Sequence, residues 1–134
     1  MRHSFRALAA AATLAALSMG TAQAQSATYV LDPTHTFVTF EIGHFGTSTN
    51  RGRFDKKEGT VQFDRAGKTG KEDLTIDATS TSTGTPPFDK HLQSADLFNA
   101  AKFPTIQFSA DQFRFSGDKV SEVAGKLTLL GQTH

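Results

Sequence analysis

Residues 105–115 read Thr-Ile-Gln-Phe-Ser-Ala-Asp-Gln-Phe-Arg-Phe, and the apolar side chains of Ile106, Phe108 and Ala110 alternate with polar ones. A period of two residues places alternate side chains on opposite faces of a β-strand. One face of this strand is therefore apolar and the other polar. The segment predicts a half-buried strand of an antiparallel sheet.

The alternation changes parity at the end of this segment, because Phe113 and Phe115 are out of step with Ile106 and Phe108. A β-bulge near Asp111 and Gln112 would return both phenylalanines to the apolar face. The alternative is that both rings point outward against a neighbouring element.

The same alternation recurs on both sides of this strand. Further strands are predicted at Tyr29–Leu31, Thr36–Phe45, residues 60–64, residues 74–82 and residues 123–129. Polar, glycine-bearing turns separate several of them. About six short strands at this spacing are typical of all-β sandwiches and barrels.

Residues 85–100 do not alternate. Thr85 is a candidate N-cap followed by Pro86 and Pro87, and Ser94 is a second candidate N-cap. We expect one or two short helices here, lying across an open end of a barrel.

The amino terminus has the pattern of a secretory signal peptide. A basic start, an apolar run from Ala7 to Met19 and the sequence Ala22-Gln23-Ala24 predict cleavage before Gln25. The apolar run is too short to span a bilayer, which takes about 20 residues. We expect residues 1–24 to be the signal peptide and residues 25–134 to form one soluble periplasmic domain without a membrane span.

Composition excludes several function classes. Without Arg2 and Arg6, 12 Lys and Arg residues face 13 Asp and Glu residues, so there is no basic surplus for a nucleic acid. The chain has no cysteine, which excludes thiolate catalysis and cysteine-based metal sites. The acid pairs Asp55/Glu58 and Glu72/Asp73 are interpreted as solvated residues of turns.

The histidines form no close metal-binding pair such as His-x-His. His35 could meet a metal together with Asp32, but Asp-Pro-Thr-His is more simply a turn before a strand. His44 is interpreted as a residue of the barrel rim. For His91, next to Asp89, a contact with a ligand head group competes evenly with a structural hydrogen bond.

Eleven phenylalanines remain after cleavage, and most are explained by core packing. The predicted inward faces also carry small residues, namely Ala78, Ser80, Ser82, Ala110 and Gly125. Small residues facing large rings leave either a cavity or room for a tapering barrel to close. The sequence does not decide between the two.

Several segments together resemble a known family. They are Asp32-Pro33-Thr34-His35-Thr36, Gly52-Arg53-Phe54, Asp89-Lys90-His91-Leu92, Leu97-Phe98, Phe103-Pro104-Thr105-Ile106-Gln107-Phe108 and the segment from Gly125 to Thr133. In this order and spacing they resemble the YceI-like family of periplasmic polyisoprenoid-binding proteins, over residues 27–134.

The resemblance implies an eight-stranded, lipocalin-like antiparallel barrel with an apolar lumen. It also implies an isoprenoid-tailed ligand, such as a polyprenyl phosphate or a quinone-type molecule. No catalytic residues are established for the family, so we expect no enzyme activity, no metal and no cofactor other than such a lipid.

Two features depart from the family. Members often carry arginine before the aspartate of the Asp-x-His-Leu segment, where this chain has Phe88, which makes a neutral head group more plausible. The family also continues into further strands after residue 134. We expect either that this chain is a fragment, which we favour, or that the barrel closes through a homodimer or strand exchange.

These arguments select two groups of ligand-binding residues. The expected lumen residues are Phe40, Ile42, Phe63, Ile76, Phe108, Leu127 and Leu129. The expected mouth residues are Phe88, Asp89, His91, Leu92 and Phe98. The alternative function is a stress-response or surface-binding module with a collapsed core and no lipid, and an exported enzyme using His91 with Asp89 is the weakest hypothesis.

Overall fold

The structure is a computed structural model that describes residues 26–134; the predicted signal peptide lies outside these residues. The described residues form nine strands, one α-helix, α1 (Pro86–Leu92), and a 3-10 helix at Ala78–Ser80. The strands are β1 (Ala27–Val30), β2 (Val38–His44), β3 (Ser48–Phe54), β4 (Lys57–Asp64), β5 (Thr69–Asp77), β6 (Thr81–Ser82), β7 (Thr105–Ser116), β8 (Lys119–Leu129) and β9 (Gln132–Thr133).

The strands form two antiparallel sheets. The larger sheet has the order β1-β4-β5-β7-β8-β9 and the smaller one the order β2-β3-β6. Within residues 26–134 the two sheets do not close into one continuous barrel. The prediction of an all-β antiparallel fold is confirmed, but the strand count rises above six through β3 and the two-residue strands β6 and β9.

Strand β7 contains the predicted bulge. The register with β8 shifts between Ala110 and Gln112, after which Phe113 pairs with Val123. Ala110 pairs with Gly125, two residues from Val123, so the shift brings Phe113 to the same face as Ala110. The bulge is confirmed, and the alternative of outward-pointing rings is wrong.

Strand β5 ends earlier than predicted. The backbone leaves the strand after Asp77, whose carboxylate accepts hydrogen bonds from the backbone N–H and hydroxyl of Thr79 at 2.8 and 2.6 Å. The hydroxyl of Ser80 donates to the carbonyl oxygen of Asp77 at 2.6 Å. These local bonds stabilise the 3-10 helix, so the predicted continuation of the strand through Ser80 is wrong.

Helix α1 begins as predicted. Thr85 is the N-cap residue with prolines at the first helical positions, and its carbonyl oxygen accepts from the N–H of Asp89 at 3.0 Å. No second helix follows Ser94. Its carbonyl instead closes turns with the N–H groups of Leu97 and Asn99, and Asn99 has a positive φ of 45°. Such a left-handed residue cannot continue a right-handed helix.

The core lies where the two sheets meet. Its buried members are Phe54, Ile76, Ala78, Ala100 and Ile106, and five half-buried residues pack against them. Within it, the rings of Phe40, Phe54 and Phe98 contact one another in pairs with centroids 5.2–5.3 Å apart. Tilted and edge-on contacts of this kind are favourable beyond the area they bury.

A glycine allows this aromatic packing. Gly52 on β3 pairs with Phe40 on β2, and the Phe40 ring lies over the glycine so closely that a Cβ there would overlap it. Phe40 also contacts the rings of Phe54 and Phe98, which restrict its movement away from the glycine. Aromatic rings often cover strand glycines in this way.

We expect Gly52→Ala to lower the free energy of unfolding by about 1–3 kcal/mol, the usual cost of overpacking a core. Urea denaturation measures the change. Gly43→Ala on β2 is the matched control, because no atom lies within 4 Å of a Cβ at that position. Equal stabilities of the two variants would show that the Phe40 ring is not confined.

Candidate functional site

The larger sheet has one polar and one apolar face. We call the face that meets the smaller sheet the inner face, since Ile76 and Ile106 on it contact the core residue Phe54. Cross-strand pairs share a face. The register therefore places on the inner face Val61, Phe63, Leu74, Ile76, Ile106, Phe108, Ala110, Phe113, Val123 and Leu127, and Leu129 packs against the core beside them.

The outer face of the same strands is polar. Asp73 pairs with Ser109 and Ser109 with Lys126, while Thr75 pairs with Gln107. The alternation therefore separates an apolar surface from a solvated one on the two sides of a single sheet.

The smaller sheet contributes a second apolar surface. Val38, Phe40 and Ile42 alternate along β2, and the pairing places Phe40 opposite Gly52 and Ile42 opposite Asn50. Glu41 and Arg51 lie on the other side, where the Arg51 Nε donates to the Glu41 carboxylate at 2.7 Å.

All the expected lumen residues lie on these inner surfaces, but with different degrees of burial. Ile76 is 3% exposed and belongs to the packed core, whereas Leu127 is 39% exposed. Phe40 and Leu129 pack against the core. Ile42, Phe63 and Phe108 are half-buried.

The expected mouth residues lie on α1 and in the segment that follows it. Leu92 is completely buried, and Phe98 packs its ring on Phe40 and Phe54. The carboxylate of Asp89 accepts hydrogen bonds at 2.7 Å from the backbone N–H and the hydroxyl of Thr83.

These contacts give Leu92, Phe98 and Asp89 structural roles in anchoring α1. Phe88 is half-buried, and His91 is exposed. Asp89 and His91 are two residues apart on a helix and so do not face each other. The structure therefore does not join them into an acid–base pair.

The opposite end of the inner face is aromatic. The rings of Phe63 and Phe115 stack at 5.8 Å, and the ring of Phe113 lies over Gly70 so that a Cβ at Gly70 would meet it. Apolar side chains thus continue from the core to the far hairpins.

A neighbouring ring packs against one of the small inward residues. Gly125 lies beneath Phe108, whose Cζ would be 2.7 Å from a Cβ built there. Ala110 is 4% exposed and packs in the same region. The space beside Gly125 is therefore occupied by the Phe108 ring and is not empty.

Two charged inner-face residues, Lys57 and Glu72, were missed by the sequence reasoning; Lys57 is placed there by its pairing with Ile76. Glu72 and Asp73 lie in the middle of β5 and not in a turn, so that interpretation is wrong. Glu72 pairs with Val61 on one side and Ala110 on the other, and this register places its half-buried carboxylate on the inner face. The alternation Gly70, Glu72, Leu74, Ile76 was the available indication.

Asp32 and His35 form a local turn. The carboxylate of Asp32 accepts from the hydroxyl and N–H of Thr34 at 2.6 and 2.8 Å, and His35 Nδ1 lies 2.7 Å from its other oxygen. These bonds, chiefly that from the Thr34 hydroxyl, lower the pKa of Asp32 to about 2. Within the described residues, no group of three potential His, Cys, Asp or Glu ligands comes together.

We expect Thr34→Ala to raise the pKa of Asp32 from about 2 toward 3.8, because it removes the largest stabilising bond to the ionised carboxylate. A carboxyl NMR titration measures this pKa, and His35→Ala should raise it less.

The lowered pKa of Asp32 also makes the stability of the fold depend on pH. A carboxylate with a lowered pKa stabilises the fold above its unfolded value, and this contribution is lost as the pH falls from 3.8 to about 2. An Asp32 pKa that stays near 2 in Thr34→Ala would contradict the role of that hydroxyl.

Comparison with known proteins gives concordant matches. The model of the YceI-like domain matches residues 29–134. A UPF0312 protein of Pseudomonas syringae pv. syringae is 38% identical over 129 residues, which cover 90% of this chain and 67% of the relative. No helix in residues 26–134 is long and apolar enough to cross a membrane.

Solved structures show the same fold. The YceI protein of Campylobacter jejuni superposes with a TM-score of 0.60 at 33% identity, over 79% of this chain and 63% of that protein. A polyisoprenoid binding domain from Saccharophagus degradans superposes with a TM-score of 0.50 at 20% identity, over 80% of this chain and 57% of that one.

This chain therefore spans less than two thirds of the length of these solved relatives. The family model covers most of the chain, and its match agrees with the antiparallel sheets and the apolar inner face. The predicted resemblance is confirmed: the chain belongs to the YceI-like family.

Proposed function

We propose that the protein is an exported carrier that binds a long-chain isoprenoid or a similar apolar lipid on its inner face. The observation that carries the proposal is a continuous apolar surface on strands whose outer surfaces are polar. Leu127 on this surface is 39% exposed, and Phe63 and Phe108 are half-buried. Apolar side chains left accessible on one face of a sheet are candidates for a binding surface.

The similarity to a structure described as a polyisoprenoid binding domain supports the same ligand class. The proposal is one of binding without chemical turnover. The exposed part of the inner face would be covered either by further strands, since the relatives are longer than this chain, or by a second copy of the chain.

Energetics favour a long ligand. Burial of one CH₂ group contributes about 0.8 kcal/mol, so a five-carbon prenyl unit contributes roughly 3–4 kcal/mol. Association costs about 4–15 kcal/mol in lost translational and rotational freedom. Several prenyl units are therefore needed for useful affinity.

Two residues favour a neutral head group. Phe88 occupies the position where family members often have an arginine, so that cation is missing for a phosphate. Glu72 adds a carboxylate to the inner face. An anionic head group near Glu72 would be repelled in a surrounding of low polarity. A quinone-type or alcohol head group avoids this repulsion.

We expect long isoprenoids to co-purify with the protein and to be identified by lipid mass spectrometry after solvent extraction. Leu127→Glu should weaken the binding of a long prenyl alcohol at least about tenfold, because it places a charge on the apolar surface. Gln107→Glu is the matched control, since Gln107 lies on the outer face of the adjacent strand.

Absence of co-purifying lipid, together with no binding of long prenyl alcohols or quinones, would contradict the carrier proposal. It would favour the alternative of a module that acts through its outer surface. Equal losses in the two glutamate variants would show that the inner face is not the binding surface.

Export has a separate test. When the full chain is produced in a Gram-negative host, we expect the periplasmic fraction to contain a protein that begins at Gln25, as measured by intact mass. Ala24→Tyr should block this cleavage, because signal peptidase requires a small residue there. A cytoplasmic protein that retains Met1 would contradict export.

A further inference from the structure

The turn between β2 and β3 has an unusual residue. The N–H of Thr47 donates to the carbonyl oxygen of His44 at 3.0 Å, which closes a four-residue turn. Its central residues, Phe45 and Gly46, have φ values of 50° and 71°. Positive φ at both positions defines a type I′ turn, in which asparagine, aspartate or glycine is strongly preferred at the first of them.

Phe45 has two unfavourable properties in this turn. Its backbone adopts the left-handed conformation, which is a genuine outlier for a bulky residue. Its side chain is 91% exposed and contacts the His44 ring edge-on at 4.6 Å. Neither property stabilises the folded chain in water. Leu130 shares this conformation but is only 37% exposed, so Phe45 is distinguished by a ring that lies almost wholly in solvent, which points to a function for it.

The turn lies at the end of the molecule away from the core. β3 ends at the core residue Phe54, β5 ends beside Ile76, and β7 begins beside Ile106. The strands of the β2–β3, β4–β5 and β7–β8 hairpins therefore meet the core at their open ends. Their three turns project together in the opposite direction.

The other two turns at this end carry cations. Arg65 and Lys68 lie in the β4–β5 turn, and Lys119 follows the β7–β8 turn. Two carboxylates accompany them: that of Asp64 accepts a hydrogen bond from the N–H of Gly67 at 2.7 Å, and that of Asp118 is exposed.

Val120, at the start of β8, is 40% exposed and adds an apolar side chain to this end. The three turns thus place an exposed aromatic ring at the same end of the molecule as three cations and two carboxylates. Aromatic rings insert into the interface of a bilayer, and Lys or Arg residues near it are attracted to anionic lipids.

We propose that this end of the molecule docks on a membrane surface containing anionic phospholipids, with the Phe45 ring inserted into the interface. The inference rests on the turn geometry and does not depend on which lipid the inner face carries. It would place the far aromatic end of the inner face next to the bilayer.

The absence of tryptophan from the chain allows a direct test. Phe45→Trp introduces a single tryptophan at the turn, which can be excited selectively beside Tyr29. Vesicles of phosphatidylethanolamine with phosphatidylglycerol should shift its emission to shorter wavelength, and vesicles of phosphatidylcholine alone should shift it less. Higher salt should reduce the shift, since the cations contribute through screened electrostatics.

Phe37→Trp is the matched control, because Phe37 is 64% exposed but precedes β2 at the core end. Its emission should not change with vesicles. An unchanged emission of Trp at position 45, or an equal shift at both positions, overturns the proposal. A shift that depends on protein concentration without vesicles overturns it in favour of a second copy of the chain.

A second variant separates docking from folding. Phe45→Asn supplies the residue that a type I′ turn prefers, so it should raise the urea midpoint while reducing vesicle co-sedimentation about tenfold. Unchanged co-sedimentation in this more stable variant also overturns the proposal. Binding of a prenyl alcohol, measured without vesicles, should be unaffected, so failure of docking and failure of the carrier proposal remain distinguishable.

Discussion

The cluster in which the rings of Phe40, Phe54 and Phe98 pack together with Ile76 and Ile106 joins the two sheets, and the arrangement of the inner surfaces depends on it. Backbone hydrogen bonds support the same end, since the N–H of Asp55 donates to Ser80 and that of Asp77 to Lys56, both at 3.0 Å. The chain passes from β3 into β4 at this point. The angle between the sheets is therefore set where packing is tightest.

Burial is greatest beside this contact and becomes uneven beyond it, where buried Ala110 lies close to exposed Leu127. Ile76 and Ile106 beside it are buried, Phe108 is half-buried, and Leu127 is 39% exposed. The same strands thus provide both a core and an exposed apolar surface. A core that used all its apolar residues would leave nothing to receive a ligand, whereas this uneven burial reserves part of the surface while the aromatic contact stabilises the fold.

Alternation predicted most of the strands and even the bulge near Asp111, because a half-buried strand imposes a period that a sequence must follow. Strand β3 was missed because its segment, Ser-Thr-Asn-Arg-Gly-Arg-Phe, is mostly polar and its inward glycine is covered by a ring from β2. Gly52 belongs to an apolar surface only because the Phe40 ring of the neighbouring strand covers it.

The division between the buried core and the exposed part of the inner face was equally inaccessible from the sequence. Leu92 and Leu127 are the same residue type in apolar patterns, yet Leu92 is fully buried against its neighbours and Leu127 is partly exposed. Likewise, the carboxylate of Asp89 accepts a hydrogen bond from the N–H of Thr83, just after β6, which no spacing rule indicates. Such differences arise from tertiary contacts, which alternation does not report.

The position of β7 in the middle of the larger sheet has a kinetic consequence. Its pairing with β5 begins at Asp77 and Thr105, so residues 78–104 must be closed into a loop first. The β4–β5 and β7–β8 hairpins instead close through short turns, on a timescale of about 1–10 μs. Loop closure between distant segments is slower, so the hairpins should form early and the sheet should be completed when the 78–104 segment compacts and brings them together.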